Sequence, residues 1–407
     1  MGTASLTGRA ALIGGSNAVD RLLRFTATIV LARVLAPETF GSFQQVWLVY
    51  GTLSAFFMLG LPSACLYFLP RTDRAGWPAL LGQMLLLLAG AGTALSALMA
   101  AAAPAIATRF DNPALAGLLR AFWPYPILIF VSSIFTALLT VRGEIRLLVR
   151  YVVYGGVLFG GGLAAAALAG VGARGLVLVV SAATLPPALF SVAYTARRVG
   201  ITPRWDRERV RALLAYAVPF TIAAAIGKLA YDLDRLFISA LFEPSAYAIY
   251  VLGGMEIPLV AVVNNAVASV LIPECSALHR EGRVAEMFAR WGSAARKASL
   301  LFFPLFVVLL AVADPLFPLV YSDRYAASVP IFRIYLLLVP LRIAVYGLVL
   351  QAVGRTRLLL GLTVGYLAVN GALNYLLVRP PLGLYPSLGL YGPAVATVIA
   401  TAINSFT

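Results

Sequence analysis

The sequence predicts an all-α polytopic membrane protein, with about twelve transmembrane helices in two pseudo-symmetric six-helix lobes. Three observations predict this architecture: the composition, the spacing of apolar runs, and an echo of the first half in the second. Of the 407 residues, 61% are hydrophobic and only 12% are charged, whereas a soluble domain usually carries about 25% charged residues. So few charges cannot cover a water-facing surface, and the chain therefore needs lipid around it.

Apolar runs of membrane-spanning length recur along the whole chain. A helix needs about 20 apolar residues to cross the hydrocarbon core of a bilayer. Twelve such runs, separated by proline, glycine or charge, cover residues 11–36, 40–67, 79–103, 117–140, 151–172, 174–196, 212–241, 245–272, 299–321, 328–351, 359–377 and 388–405. The last run ends abruptly at Thr407 without a basic tail, so the sequence leaves open whether the native chain continues.

The positive charge is concentrated between these runs. The net charge is +15, and arginines are densest in the segments after the even-numbered spans, such as residues 142–150 and 197–211. This distribution is the orientation signal of a membrane protein, so we expect both termini in the cytoplasm and no nucleic-acid partner. All connecting segments are short, which leaves no extramembrane domain for an active site and predicts a protein that is not an enzyme.

The second half of the chain resembles the first. A shift of 207 residues lays LARVLAPETFGSF (31–43) on ISALFEPSAYAIY (238–250), matching proline with proline and aromatic with aromatic twice. A shift of 211 lays GEIRLL (143–148) on GRTRLL (354–359). The expected domains are therefore an N-terminal lobe over residues 1–196, a cytoplasmic linker over 197–211, and a C-terminal lobe over 212–407 that is incomplete if the native chain is longer. Parallel repeats of this kind rock around a central cavity, which is alternating access. The other interpretation is that similar helix–turn–helix connections arose in the two halves by chance.

Ionisable residues inside the spans are the candidate site. A charge at a helix centre costs about 2.5–3.5 kcal/mol on insertion scales, so it usually faces a cavity or a partner. The cationic candidates for binding an anionic substrate are Arg21, Arg24, Lys228, Arg235 and Arg342, and the acidic candidates for ion coupling are Asp20, Asp232, Asp234 and Glu256. A further polar face is formed by Tyr366, Asn370 and Asn374.

Two interpretations of these charges compete. In the first, Asp20 pairs with Arg24 at i,i+4 and Asp232 pairs with Arg235 at i,i+3, and the pairs only hold helices together. In the second, the surplus cations bind an anion, because the planar fork of arginine suits two phosphate oxygens. Arg21 and Lys228 favour the second interpretation, since the shift of 207 residues superimposes them and neither has an acid at helical spacing below it.

Three segments are similar to a known family. Residues 31–43, GLPSACLYFLPR (60–71), and the Asp234–Arg235 pair followed by Pro244 and Tyr247 resemble oligosaccharide and polysaccharide flippases of the Wzx type. These belong to the same transporter superfamily as the multidrug and toxin extruders. The resemblance implies a bacterial inner-membrane flippase that moves an undecaprenyl-pyrophosphate-linked oligosaccharide to the outer leaflet for surface polysaccharides such as O-antigen or exopolysaccharide.

The resemblance also implies that the protein needs no cofactor and that transport is coupled to protons or sodium ions. The expected partners are membrane lipids, a polysaccharide polymerase and export machinery. Other functions remain open at this point. A lipid II flippase shares the pyrophosphate head, and a cation-coupled multidrug antiporter shares the superfamily but prefers an acidic cavity. A membrane glycan polymerase or ligase is disfavoured, because such enzymes generally need a sizeable outer loop.

Overall fold

The computed structural model describes residues 6–255, 257–343, 347–378 and 387–406. Within these ranges the regular elements are all helical, which confirms the predicted all-α class. The α-helices are α1 Leu6–Val34, α2 Pro37–Phe57, α3 Leu61–Phe68, α4 Trp77–Arg109, α5 Pro113–Ala121, α6 Pro124–Ser133, α7 Phe135–Arg142, α8 Ile145–Leu168, α9 Ala173–Arg198, α10 Arg207–Leu241, α11 Pro244–Gly253, α12 Pro258–Arg280, α13 Val284–Val320, α14 Ser328–Leu336, α15 Leu338–Leu341, α16 Gly347–Ala352, α17 Thr356–Val378 and α18 Gly392–Phe406.

Nine helical segments of the described ranges are long and apolar enough, by length and composition, to cross a membrane. They are Pro37–Arg71, Arg74–Arg109, Pro124–Arg142, Ile145–Leu168, Ala173–Arg198, Arg207–Leu241, Leu259–Arg280, Val284–Val320 and Arg357–Val378. The helical segment Ser328–Leu341 is apolar but shorter. Helix α1, with 29 residues, is also long enough, but it carries three candidate site charges near its middle.

Prolines interrupt three of the predicted spans. The span predicted over 117–140 is built from α5, α6 and α7, and α6 begins at Pro124. Proline has no N–H for the carbonyl four residues earlier, so a helix tends to break there. The same reason applies where α12 begins at Pro258 within the predicted span 245–272. It also applies within the predicted span 328–351, where α14 ends at Leu336, four residues before Pro340.

The chain divides into two compact units, Met1–Lys228 (unit 1) and Leu229–Thr407 (unit 2). In unit 1, α1 packs along α8, α4 packs against α5 and α6, and α8 packs against α9. In unit 2, α17 packs against α18, α12 against α13, and α11 against α14. The predicted lobes, with a linker at 197–211, stay a prediction.

Glycines of α8 allow α1 to approach closely. A Cβ atom on Gly156 would lie 2.7 Å from Oδ1 of Asp20, and one on Gly160 would lie 2.8 Å from the carbonyl oxygen of Leu23. Real Cβ atoms essentially never come this close to a non-bonded atom. The absence of side chains at these two positions therefore sets the distance between the helices, as small residues commonly do in membrane proteins.

The segment between α9 and α10 lies on the start of α4. The backbone N–H of Thr202 donates to the carbonyl of Pro78 at 2.9 Å, and Nε2 of Gln83 donates to the carbonyl of Asp206 at 2.7 Å. A Cβ on Gly82 would lie 2.4 Å from the carbonyl oxygen of Thr202. Residues 199–206, which have no helical structure, are thus held against α4 by one backbone hydrogen bond and one hydrogen bond from the Gln83 side chain.

Glu144 fixes the connection between α7 and α8. Its carboxylate accepts hydrogen bonds from the Tyr194 hydroxyl and from Nε of Arg142 at 2.5 Å. Partial burial raises the pKa of the Glu144 carboxyl, but these hydrogen bonds outweigh burial and hold the pKa below its ordinary value. The charged form of Glu144 therefore stabilises this connection.

Candidate functional site

In unit 1, the predicted pair on α1 is present. Nε of Arg24 donates to both carboxylate oxygens of Asp20, at 2.9 and 3.1 Å, and the guanidinium carbon lies 4.1 Å from the ring centroid of Phe159. The side chain of Arg24 is 40% exposed. The ion pair and the ring together fix the direction of the guanidinium, which projects into open space.

That space is a cavity of about 720 Å³ within unit 1, here called the unit 1 cavity. Its walls come from α1, α6, α8 and α9, and the polar and aromatic side chains lining it include Asn17, Asp20, Arg24, Tyr125, Tyr151 and Thr184. A neighbouring cavity of about 560 Å³ shares Arg24 and is lined on its other side by Gln44 and Trp47. Arg24 therefore lies between two cavities of the same unit.

In unit 2, the α10 carboxylate of Asp234 is surrounded by hydrogen-bond donors. The hydroxyls of Tyr250, at 3.0 Å, and of Tyr335 donate to Oδ2, and the backbone N–H of Arg235 donates to Oδ1 at 2.8 Å. The two tyrosine hydroxyls also lie 2.8 Å apart. Asp234 is 6% exposed, so burial is matched by three donors from its own unit.

Arg235 is held more loosely than its neighbour. The second predicted pair is present, but Nη1 of Arg235 lies 3.8 Å from Oδ1 of Asp232, which is 1% exposed. Nη2 lies 3.5 Å from the hydroxyl of Tyr231 and 3.5 Å from the carbonyl of Gly254. Charge-assisted hydrogen bonds are usually about 2.7–2.9 Å long, so these polar contacts are weak. The guanidinium carbon also lies 4.9 Å from the ring centroid of Tyr231.

Arg235 lines a cavity of about 720 Å³ within unit 2, here called the unit 2 cavity. Its walls also carry Tyr231, Asp234, Tyr335, Arg342 and Tyr366. Helix α10 thus brings Asp234 and Arg235 to the same space as Arg342, which follows α15. Among the described residues, two guanidinium groups and one carboxylate line this space, and the carboxylate accepts hydrogen bonds from tyrosine hydroxyls.

The polar face predicted on α17 extends from the unit 2 cavity into the core of unit 2. Nδ2 of Asn370 lies 3.2 Å from the hydroxyl of Tyr366 and 3.1 Å from Oγ1 of Thr397. Nδ2 of Asn374 donates to the backbone carbonyl of Asn370 at 2.9 Å. Tyr366 and Thr397 both line the cavity, so buried amides support its wall.

The structure separates the predicted cations into two groups. Arg24 lines the cavities of unit 1, and Arg235 and Arg342 line the cavity of unit 2. Arg21 is exposed on α1 and Lys228 lies against Gly51 of α2, where a Cβ would be 3.5 Å from Nζ. Neither lines one of the three cavities described above.

The acidic candidates also differ in their surroundings. Asp20 and Asp232 are partners of arginines one helical turn away, and Asp234 is bound by tyrosines. The fourth acidic candidate, Glu256, lies outside the described residues. The part of the chain that the structure describes contains no group of three or more His, Cys, Asp or Glu side chains that could hold a metal ion.

Sequence reasoning missed the aromatic residues around these charges. Tyr250 and Tyr335 lie 16 and 101 residues from Asp234 along the chain, so no helical spacing relates Tyr335 to it. Phe159, on α8, covers Arg24. The sequence repeat pointed to only one of these aromatic residues, Tyr250, which the shift of 207 residues aligns with Phe43.

The sequence of this chain matches a known protein family. The chain matches the family model described as polysaccharide biosynthesis protein over residues 30–330. No curated protein sequence matches the chain.

Solved structures share the fold at low sequence identity. An inward-facing multidrug resistance MATE family transporter of the MOP superfamily has 19% identity and a TM-score of 0.76, over 95% of this chain and 92% of that one. The lipid II flippase MurJ, in an inward closed conformation, has 14% identity and a TM-score of 0.76, over 97% and 86%. The chain therefore has the two-lobe membrane-transporter fold, and it belongs to the polysaccharide biosynthesis protein family.

Proposed function

We propose that this chain is a flippase that moves an undecaprenyl-pyrophosphate-linked oligosaccharide from the cytoplasmic to the outer leaflet of a bacterial inner membrane by alternating access. The observation that carries this proposal is the loosely held guanidinium of Arg235 on the wall of the unit 2 cavity. Membership of the polysaccharide biosynthesis protein family supports a glycan as part of the cargo.

The contacts of Arg235 leave it able to bind an anion. Its contacts with Tyr231, Gly254 and Asp232 are all 3.5 Å or longer, although a guanidinium carries five N–H donors in a planar fork. Pyrophosphate oxygens can accept two of these in parallel, at the shorter distances of charge-assisted hydrogen bonds. The cargo would thus give the N–H donors of Arg235 stronger hydrogen bonds than the protein alone provides.

The other charged side chains that the structure describes in the unit 2 cavity favour an anionic over a cationic cargo. Arg342 adds a second guanidinium to the wall. The carboxylate of Asp234 could attract a cation, but Tyr250 and Tyr335 already donate to it. A multidrug antiporter with cationic substrates is expected to present an open carboxylate, so this cavity suits that alternative less well.

As a part of the same proposal, the acidic candidates couple transport to the movement of an ion. Asp20, Asp232, Asp234 and Glu256 remain the candidates for a proton or sodium ion that drives the cycle. A polysaccharide polymerase and export machinery are proposed to receive the flipped cargo.

The experiment deletes the gene in its host and restores it as wild type, Arg235→Ala, Arg342→Ala or Arg333→Ala. Arg333 is the matched control, because it lies on α14, pairs with Asp314 at 2.5 Å on an exposed surface and does not line the unit 2 cavity. Losing a hydrogen bond to a charged group costs about 1.5–3 kcal/mol, or roughly 10- to 150-fold in affinity.

We expect lipid-linked glycan to accumulate on the inner leaflet with Arg235→Ala and Arg342→Ala but not with Arg333→Ala at equal expression. Normal export with both cavity variants would refute the assignment of the cargo site. Drug sensitivity without any accumulated glycan lipid would instead identify an antiporter, and accumulated lipid II would identify a lipid II flippase.

A further inference from the structure

We propose that the unit 1 cavity binds a neutral sugar ring of the cargo's glycan. This inference rests on the proposed function, because it names which part of that cargo the cavity of α1, α6, α8 and α9 would take. It is carried by the charge balance, the polar side chains and the ring surfaces of a cavity that lies wholly within unit 1.

The charge balance points to a neutral ligand. Among the described residues that line the unit 1 cavity, only Asp20 and Arg24 are charged. Nε of Arg24 donates to both carboxylate oxygens of Asp20, at 2.9 and 3.1 Å. A cationic ligand would have to compete with Arg24 for the carboxylate. An anionic ligand at the guanidinium would be repelled by the carboxylate of Asp20 beside it. A ligand of uncharged hydroxyls can instead bind both members of the pair without separating them.

The polar side chains around this pair match a polyhydroxyl compound. Asn17 lines the cavity, and its amide makes no hydrogen bond within the described ranges, so it offers both a donor and an acceptor. The hydroxyl of Thr184 donates to a carbonyl of its own helix at 2.8 Å, which leaves its oxygen as an acceptor. Sugar hydroxyls can donate and accept in turn, and so can use each of these groups.

The cavity also offers an aromatic surface. Tyr151 is half-buried on its wall. Its ring is held by an edge-to-face contact with Phe135, at 4.8 Å between centroids, and by an offset stack with Phe190 at 6.3 Å. A pyranose ring has one face of C–H groups, which packs on the negative face of an aromatic ring. Phe159 cannot play this part, because the guanidinium of Arg24 covers it at 4.1 Å.

Gly155 lies at the centre of the α8 face that lines the cavity, between Tyr151 and Phe159 at four-residue spacing. A Cβ at Gly155 would meet nothing within 4 Å, so a side chain can start at this position without a clash at its first atom. Gly161, also on α8, likewise has nothing within 4 Å of a Cβ but does not line the cavity. Both glycines are in a helix interior, where a leucine is the better helix former.

The experiment measures equilibrium binding to the full chain in lipid nanodiscs. One probe is the glycan lipid that accumulates in the host lacking the gene, and the other is undecaprenyl pyrophosphate without sugar. The variants are Gly155→Leu, which fills the cavity, and Tyr151→Leu, which removes the ring. Their controls on α8 are Gly161→Leu and Tyr154→Leu, because Tyr154 is 52% exposed and does not line the cavity.

We expect Gly155→Leu and Tyr151→Leu to weaken binding of the glycan lipid about tenfold, the scale of one lost ring contact, and to leave binding of the bare pyrophosphate lipid unchanged. Unchanged binding of the glycan lipid, equal loss of both probes, or an equal loss with the control variants would overturn the sugar site. Arg235→Ala should weaken both probes. If it weakens neither, the proposed function fails, whatever the α8 variants show.

Discussion

The packing of α1 against α8 depends on Gly160, and Gly160→Ala tests it. A Cβ at this position would lie 2.8 Å from the carbonyl oxygen of Leu23 and 3.2 Å from its carbon. Carbon and carbonyl oxygen atoms usually stay about 3.3–3.6 Å apart even in close contacts. Because the obstacle is backbone, α1 must move as a whole by roughly 0.5 Å or more.

The cost can be estimated against a neighbour on the same helix. Overpacking of this kind costs about 1–3 kcal/mol. Gly161→Ala adds the same methyl group where nothing lies within 4 Å, and it should gain up to about 1 kcal/mol from helix propensity. Gly160→Ala gains the same helix propensity, so we expect the two variants to differ in unfolding free energy by the overpacking cost alone, roughly 1–3 kcal/mol.

The assay is reversible unfolding of the purified variants in mixed detergent micelles, with helix content as the signal. Gly160→Ala should unfold more readily than wild type, and Gly161→Ala less readily or equally. If Gly160→Ala were as stable as Gly161→Ala, the close approach of α1 to α8 would be refuted, and with it the position of Asp20 and Arg24 beside the unit 1 cavity.

Three further predictions concern local contacts. Glu144→Gln should lower thermal stability at neutral pH, because it removes the charged form of the carboxyl. Since the pKa of this carboxyl lies below its ordinary value of 4.5, the stability that the charged form contributes is complete above about pH 4.5 and is lost as the pH falls through the folded pKa. Gly82→Ala should dislodge the carbonyl of Thr202, which would lie 2.4 Å from the new methyl group, and so speed proteolysis of residues 199–206. Tyr335→Phe should cost about 1–3 kcal/mol in unfolding free energy, because buried Asp234 loses a donor.

Each of these has an outcome that would count against it. The Glu144→Gln and wild-type melting temperatures should converge in acid, and a constant gap down to pH 3 would contradict the sign of the pKa shift. Gly90→Ala, also on α4 but with nothing within 4 Å of its Cβ, is the control for Gly82→Ala and should leave proteolysis unchanged. Tyr335→Phe with wild-type stability would mean that Asp234 does not depend on that hydroxyl.

Local spacing predicted the local parts of the site. The pairs Asp20–Arg24 and Asp232–Arg235 are one helical turn apart, and both are ion pairs in the structure. The all-helical class followed from composition and run length, because lipid forces the backbone to satisfy its own hydrogen bonds. The interruptions at Pro124 and Pro258 had a sequence signal too, but an apolar run conceals it when only hydropathy is followed.

The contacts that give each charge its role could not be predicted in the same way. Arg21 and Lys228 are the cations that the repeat superimposes, yet the three described cavities are lined by Arg24, Arg235 and Arg342 instead. A repeat fixes the height of a residue along its helix but not the direction in which it faces. That direction depends on packing, such as the fit of α1 on α8, which a single sequence does not specify.

Movement of the glycan lipid itself is the most direct test of the central claim. The purified chain is placed in liposomes that hold the accumulated glycan lipid in both leaflets, and a membrane-impermeant oxidant of sugar diols is added outside. Wild type should expose the inner pool over time, and Arg235→Ala should slow exposure by roughly 10- to 150-fold. If the inner pool stayed as protected as in protein-free liposomes, the claim that this chain flips a lipid-linked glycan would be contradicted.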